Sequence, residues 1–255
     1  MQLPQFAAHA DMEERHWWFL GRRQILVTLL HELLPPSKST HLIDVGCGTG
    51  GLTKYFSHEY SIVGIDPAKE AIDFAKKKFP ECTFIHGHAP NDVQEQVHNA
   101  NGVLLVEVLE HVEDDMRFVH ELIAAMKPGA YLFIMAPADM SLWSPHDTAF
   151  EHYRRYDSLE EFRALWSGTP VSELLVSYCN TRLRPVVKLM RKLSAMRGKA
   201  WGKGGTDIDV PPQPVNTLLK KIFGGEARSL VNILRGKGNT KRRKGVSVIA
   251  VLRKC

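Results

Sequence analysis

Cysteine is scarce in this chain and unpatterned. Cys47, Cys82, Cys179 and Cys255 stand far apart, form no C-x-x-C and match no zinc spacing. A disulfide framework is therefore excluded, and the expectation is reduced thiols in a cytoplasm, each a small buried residue. Long apolar runs are missing too. No segment reaches the roughly 18 uncharged apolar residues that a membrane-spanning helix needs. The opening MQLPQFAAHADMEERHWWF has no basic-then-apolar leader. There is no internal repeat. No His/Cys/Asp/Glu cluster has ligand spacing along the chain, so nothing in the sequence requires a metal.

What is present is globular. At 255 residues and 44% hydrophobic, the chain suits one domain of ordinary size with some elaboration. Its net charge of +5 hides an asymmetry. Residues 1–180 hold 14 Lys/Arg against 25 Asp/Glu, whereas residues 181–245 hold 17 against 3. An acidic body thus carries a basic C-terminal region.

From residue 41 to 137, strands and helices alternate. LIDVG, SIVGID, CTFIHG, GVLLVEV and AYLFIMAP read as buried strands. Residues 51–59, 69–79 and 114–126 read as helices between them. That alternation means a parallel sheet covered on both faces. VSELLVSY (171–178) and VSVIAVLRK (246–254) alternate like two further strands. Between them, Val186, Leu189, Met190, Leu193 and Met196 share one helical face, with Lys188, Arg191 and Lys192 off it. Residues 198–214 read as loop. Residues 215–236 suggest two short helices broken at Gly224-Gly225.

Ligands of open α/β sheets bind beyond the C-terminal strand ends, where the strand order reverses. The loop after the first strand, Asp44-Val-Gly46-Cys-Gly48-Thr-Gly50-Gly51, lies there. Glycine permits positive φ and close approach of the main chain to a ligand. Two patterns fit these letters. Gly46, Gly48 and Gly51 satisfy the dinucleotide fingerprint G-x-G-x-x-G. Gly46, Gly48 and Gly50 satisfy D-x-G-x-G-x-G, the S-adenosylmethionine loop. Asp66 ends the second strand, where a carboxylate accepts hydrogen bonds from a ribose diol in either cofactor.

Further segments separate the two. "LIDVGCGTGGL", "GIDP", "LLVEVLEHVED" and "MKPGAYLFIMAP" together resemble the class I S-adenosylmethionine-dependent methyltransferases, strongly over residues 40–137. The flanking segments "ERHWWFLGRR", "HDTAFEHYRRYDSLEEF" and "PVNTLLKKIFGGE" resemble a bacterial branch linked to glycan, lipid-linked and secondary-metabolite pathways. The resemblance implies a Rossmann-like seven-stranded sheet, mostly parallel with the last strand antiparallel. It implies one methyltransferase domain over 1–255. In it residues 1–39 would form the N-terminal lid and helices, 40–180 the cofactor-binding core, 181–245 a basic helical insertion and 246–255 the last strand. S-adenosylmethionine is the implied cofactor. Asp44, Gly46, Gly48 and Gly50 would line its methionine part, Asp66 its ribose, and Glu107, Arg22 and Trp18 would approach from the side. The family often places an acid after strand three to meet adenine. Here His88 stands there, so backbone groups of His88 and Ala89, or Asn91 or Asp92, take that role.

The methyl of a sulfonium is already electrophilic, so the enzyme must align an acceptor and, for a hydroxyl, remove its proton. The loop after the fifth strand, residues 137–157, carries His146, Asp147, Glu151, His152, Arg154 and Arg155. An imidazole beside a carboxylate suits a general base. The candidates are His146 and His152, then His111 of the L-E-H segment; the bland alternative is a solvated loop. Trp17, Trp18 and Phe19 beside Arg22 and Arg23 read as a lid helix that shields the reaction, or as a helix docked by its aromatics. The expected reaction is O-methylation of a small-molecule, lipid-linked or glycan-linked acceptor in a biosynthetic setting. Two alternatives stand beside it, a nucleic-acid methyltransferase using the basic region and a non-catalytic S-adenosylmethionine-binding subunit. The first is weakened because E-V-L-E stands where N/D-P-P-Y/F would follow strand four. Peripheral contact with anionic lipid through Lys188, Arg191 and Lys192 is the remaining expectation.

Overall fold

The computed structural model describes residues 3–197, 209–239 and 243–255. Seven strands form one sheet: β1 (His41–Val45), β2 (Ser61–Asp66), β3 (Thr83–His86), β4 (Gly102–Val106), β5 (Tyr131–Pro137), β6 (Val171–Cys179) and β7 (Ser247–Lys254). Their spatial order is β3-β2-β1-β4-β5-β7-β6. The five strands from β3 to β5 pair in parallel, and β7 runs antiparallel to both its neighbours. The order reverses between β1 and β4, which opens a crevice at their C-terminal ends.

All five residues of β4 are buried, as a central strand covered on both faces requires. Its side chains alternate between two cores. Leu104 and Val106, with Phe133 and Met135 of β5, face α2 (Trp17–Leu33), α10 (Gln213–Gly224) and α11 (Ala227–Leu234). There they meet Ile25, Leu26, Leu29, Leu30, Phe223 and Leu230. Val103 and Leu105 face α5 (Gln94–Asn99), α6 (Asp115–Ala125) and α8 (Leu159–Ala164), through Val97, Val119, Leu122, Ile123 and Phe162. Helices α3 (Gly51–Phe56) and α4 (Lys69–Lys78) follow β1 and β2; α7 (Pro145–Ala149) lies in the loop after β5.

The N-terminal aromatics do dock. Trp17 packs edge-on against Phe223 at 6.2 Å, and α2 buries its apolar side on the sheet. His16 caps α2 by accepting from the Trp18 N–H, and Asn216 of α10 accepts from Trp17 N while donating to the Arg15 carbonyl. Ahead of it, α1 (Leu3–Arg15) is a separate helix that the sequence reading did not resolve.

Part of the charge asymmetry is internal. Arg184 pairs with Asp139 at 2.5 Å, Arg235 with Glu32 at 2.6 Å, Lys244 with Asp157 at 3.8 Å, and Arg191 with Asp147. The basic region thus binds the acidic body of its own chain. One expectation is corrected here. Arg191 of α9 (Arg184–Arg197) turns inward and is not available to lipid. Its face of the helix, with Val187 and the buried Ser194, is the one directed at the protein. The apolar stripe Val186, Leu189, Met190, Leu193 and Met196 is instead exposed, with Lys188 and Lys192 beside it. Cys255, just beyond β7, is exposed and Cys82 is only partly buried, contrary to the expectation that every cysteine is buried. Residues 198–208, read from sequence as loop, lie outside the described residues.

Candidate active site

The glycine loop makes the first half of the site. Gly46, Gly48 and Gly50 adopt φ of +73°, +52° and +82°, whereas Gly51 is not left-handed and begins α3. The backbone therefore follows D-x-G-x-G-x-G. A β-carbon at Gly46 would run into Val108, and one at Gly50 would lie 2.6 Å from Phe84. The loop is tied to β2: the Gly46 and Cys47 N–H groups donate to the Ile65 carbonyl, and Gly48 N–H donates to Asp66 Oδ2 at 2.9 Å. Asp66 Oδ1 accepts from Ala68 N–H, and each oxygen keeps a second lone pair for a ligand. His88 is exposed after β3, its N–H bound to Asp92 Oδ2, with Ala89 beside it.

Three carboxylates gather round this loop. Asp44 is buried and accepts from Thr53 Oγ1 at 2.6 Å. Burial pushes its pKa up to about 7, and the charges of Glu13 and Asp66 add to that. Burial also raises Asp66. Glu13 reaches over from α1 to accept from Thr49 Oγ1 at 2.5 Å. The sequence reading missed Glu13, because nothing in α1's composition marks which residue will meet a loop 36 positions away.

The second half lies at the end of β4. Glu107 is left-handed at φ +57° and leads into a short 3-10 turn, Leu109–His111. The loop after β5 folds back on that turn: Tyr153 N–H donates to the Glu110 carbonyl at 2.7 Å. This brings the three predicted imidazoles together. His152 lies 4.8 Å from His111 and 6.3 Å from His146, ring centre to ring centre, and His146 packs on Phe150. His152 Nδ1 meets Asp147 Oδ1 at 3.1 Å. Asp147, fully buried, is also held by Arg155 at 2.6 Å, by Arg191, and by the Ser144 N–H. Burial alone would raise its pKa, but His152 and the two arginines hold it far below the carboxylate range. His111 is pushed down to about 4 by burial and by His152, so its imidazole is neutral.

Glu107 and Glu110 carry the opposite burden. Both are raised by burial, Glu110 the more because Glu107 faces it. Neither oxygen of Glu110 has a hydrogen-bond partner, nor has Glu107 Oε1. Arg22 lies between Glu107, at 4.0 Å, and the rings of Trp18 and Phe19, at 4.6 and 5.1 Å. Its Nε is buried and unpartnered. Arg22 and Trp18 are therefore at the site, stacked together as a cation on an indole face.

A model of the methyltransferase-domain family matches residues 18–176. The chain belongs to that family. The class I methyltransferase resemblance of its sequence is thereby borne out, and so is the sheet it implied. Among curated relatives, a ubiquinone biosynthesis O-methyltransferase of Coxiella burnetii is 32% identical over 100 residues, which cover 38% of this chain and 43% of that one. The match spans less than half of that relative's length. Among solved structures, the plantazolicin methyltransferase BamL has a TM-score of 0.59 at 16% identity, covering 98% of this chain and 90% of that one. The [4+2]-cyclase SpnF has a TM-score of 0.54 at 16% identity, covering 90% and 81%. At such identities the likeness is one of fold, and a methyltransferase and a cyclase share it. Function has to be argued from the site.

Proposed function

We propose that this protein transfers the methyl group of S-adenosylmethionine to a hydroxyl of a small-molecule or lipid-linked acceptor. The observation that carries this reading is the acidic setting of the glycine loop. A dinucleotide would bring a pyrophosphate to that loop, and Asp44 and Glu13 would repel it, whereas Asp66 serves the ribose of either cofactor. S-adenosylmethionine brings a sulfonium and an ammonium, which the same carboxylates attract. The S-adenosylhomocysteine bound in the BamL structure and the O-methyltransferase name of the Coxiella relative support the same reading.

In this reading Asp66 accepts from the ribose, the Gly46–Gly50 backbone cradles the methionine part, and Arg22 meets its carboxylate. His88 and Ala89 lie beside the adenine end. The acceptor sits over His111, His146 and His152 and loses its proton within that cluster. Asp147 fixes the tautomer and orientation of His152, a task a buried carboxylate performs well. The hydroxyl oxygen then bonds to the methyl carbon as the carbon–sulfur bond breaks, and S-adenosylhomocysteine leaves. Calorimetric titration with S-adenosylhomocysteine, with NADH as comparison, tests this. Micromolar binding of the former and none of the latter is expected; NADH binding alone would make the chain an oxidoreductase.

The exposed stripe on α9, flanked by Lys188 and Lys192, supports peripheral contact with an anionic membrane that holds the acceptor. No helix among the described residues is long and apolar enough to cross a membrane. Flotation with anionic liposomes is expected to carry the protein, and Lys188→Glu with Lys192→Glu to release it; failure of the intact protein to float removes this contact. Nucleic-acid binding through Arg184, Arg191, Arg235 and Lys244 is disfavoured, because acidic partners within the chain already engage them.

A further inference from the structure

The acceptor half of the site contains a group of side chains that methyl transfer alone does not require. Glu110, His111 and His152 each offer one ligand atom, and the three atoms lie within 4.8 Å of one another. Two of the residues are adjacent in sequence; the third arrives from 41 positions away when the loop after β5 folds back. Glu110 is wholly buried, yet neither of its oxygens has a partner. Glu107 adds a second carboxylate beside it, whose Oε1 has no hydrogen-bond partner and faces Arg22 at 4.0 Å. Buried acceptors are normally satisfied, and two carboxylates in contact repel.

We propose that Glu110, His111 and His152 form a divalent-cation site beside the cofactor loop, with Glu107 supplying additional negative charge. The inference rests on the methyltransferase reading for its purpose but not for its test. Two imidazoles and one carboxylate form a donor set for first-row ions such as Zn²⁺, Mn²⁺ or Co²⁺, rather than for Mg²⁺ or Ca²⁺, which prefer all-oxygen shells. The surroundings fit ligation. Asp147 holds His152 Nδ1 at 3.1 Å, which leaves Nε2 as the ring atom available to a cation. A carboxylate behind a ligating histidine, itself fixed by Arg155 and Arg191, is the usual outer support of such a site.

The site also lies where a cation is useful. Val108, between Glu107 and the 3-10 turn, packs against Gly46 of the cofactor loop. A cation here would bind the acceptor's hydroxyl oxygen and lower its pKa, so that the oxygen meets the methyl as an alkoxide or phenoxide. The proton released goes to His146, which is not a ligand in this arrangement, or to water. His152 then serves as ligand and is not itself the base.

The test is titration of the full-length, chelator-treated protein with Co²⁺, followed by visible absorption and by calorimetry, with Zn²⁺ as competitor. One equivalent is expected to bind with d–d bands of nitrogen and oxygen ligation, and Zn²⁺ to bleach them. Glu110→Gln and His152→Ala are expected each to weaken Co²⁺ binding at least tenfold. Folding of each variant is checked by circular dichroism and by retained S-adenosylhomocysteine binding. Wild-type protein without the bands, or Glu110→Gln and His152→Ala proteins that bind Co²⁺ as wild type does, overturns the site. Co²⁺ binding without S-adenosylhomocysteine binding would keep the cation site and remove the methyltransferase reading. The reverse result would do the opposite.

Discussion

The two halves of the crevice are built by different means. The proposed cofactor half, at the ends of β1 and β2, is built on main chain: three left-handed glycines, Gly46, Gly48 and Gly50, whose N–H groups donate to Ile65, Asp66 and Cys47 in turn. The half at the ends of β4 and β5 is made of side chains: three imidazoles, three carboxylates and two arginines. Main-chain sites depend on backbone conformation, and they are robust to losing a neighbouring charge. Side-chain networks depend on mutual neutralisation in a medium of low dielectric, so removing one member strands the others. The cofactor half should therefore fail locally and the acid–imidazole half globally.

The largest expected effect probes the second half. Asp147→Asn leaves Arg155 and Arg191 without their counter-charge, and breaking a buried pair costs about 3–5 kcal/mol. Thermal melting should fall by about 10 °C for a chain of this size. Binding of S-adenosylhomocysteine by the folded fraction should stay near wild type. The reciprocal change, Gly46→Ala, sets a β-carbon against Val108 and imposes about 1–2 kcal/mol of left-handed strain. S-adenosylhomocysteine affinity should fall at least about tenfold, with melting lowered by only about 5 °C. If calorimetry and melting curves show the two variants losing stability and affinity in the same ratio, the two halves form one unit and the contrast drawn here is wrong.

The smallest effect belongs to the helix that roofs both halves. His16 caps α2 through Nδ1, which must be unprotonated to accept from Trp18 N–H. Burial pushes its pKa down to about 4, from 6.5 when exposed. The folded state thus resists a proton that the unfolded chain accepts. Its contribution is complete above about pH 6.5 and is lost as the pH falls toward 4. Near-UV circular dichroism of the tryptophans should show α2 loosening across that window. In His16→Asn protein, whose side chain caps without titrating, that part of the acid dependence should disappear.

Much of this could be read along the chain. The strands announced themselves as apolar runs, since a strand buried on both faces has no polar side to interrupt it. GVLLV became the central β4 for that reason, though it stops at Val106 because Glu107 leaves the extended region. Gly46, Gly48, Gly50 and Asp66 were legible because their geometry is set within a turn and a strand of one another. Glu13 and Arg191 were not. Which way a helical side chain points depends on what the helix packs against. Arg191 looked like one cation of a solvated face until α9 was laid over Asp147.

By itself, then, the sequence determined the α/β class, the glycine loop and the candidate histidines. Those follow from periodicity and from local backbone conformation, which act over a few residues. Only the tertiary structure decided that His111 and His152 lie beside Glu110, and that Arg184, Arg191 and Arg235 of the basic region pair with the acidic body. Contacts between residues 41 to 203 positions apart carry no periodic signature. They exist only once the sheet closes, and for buried members such as Asp147 and Arg155 the dry interior makes an unpaired charge costly enough to fix its partner.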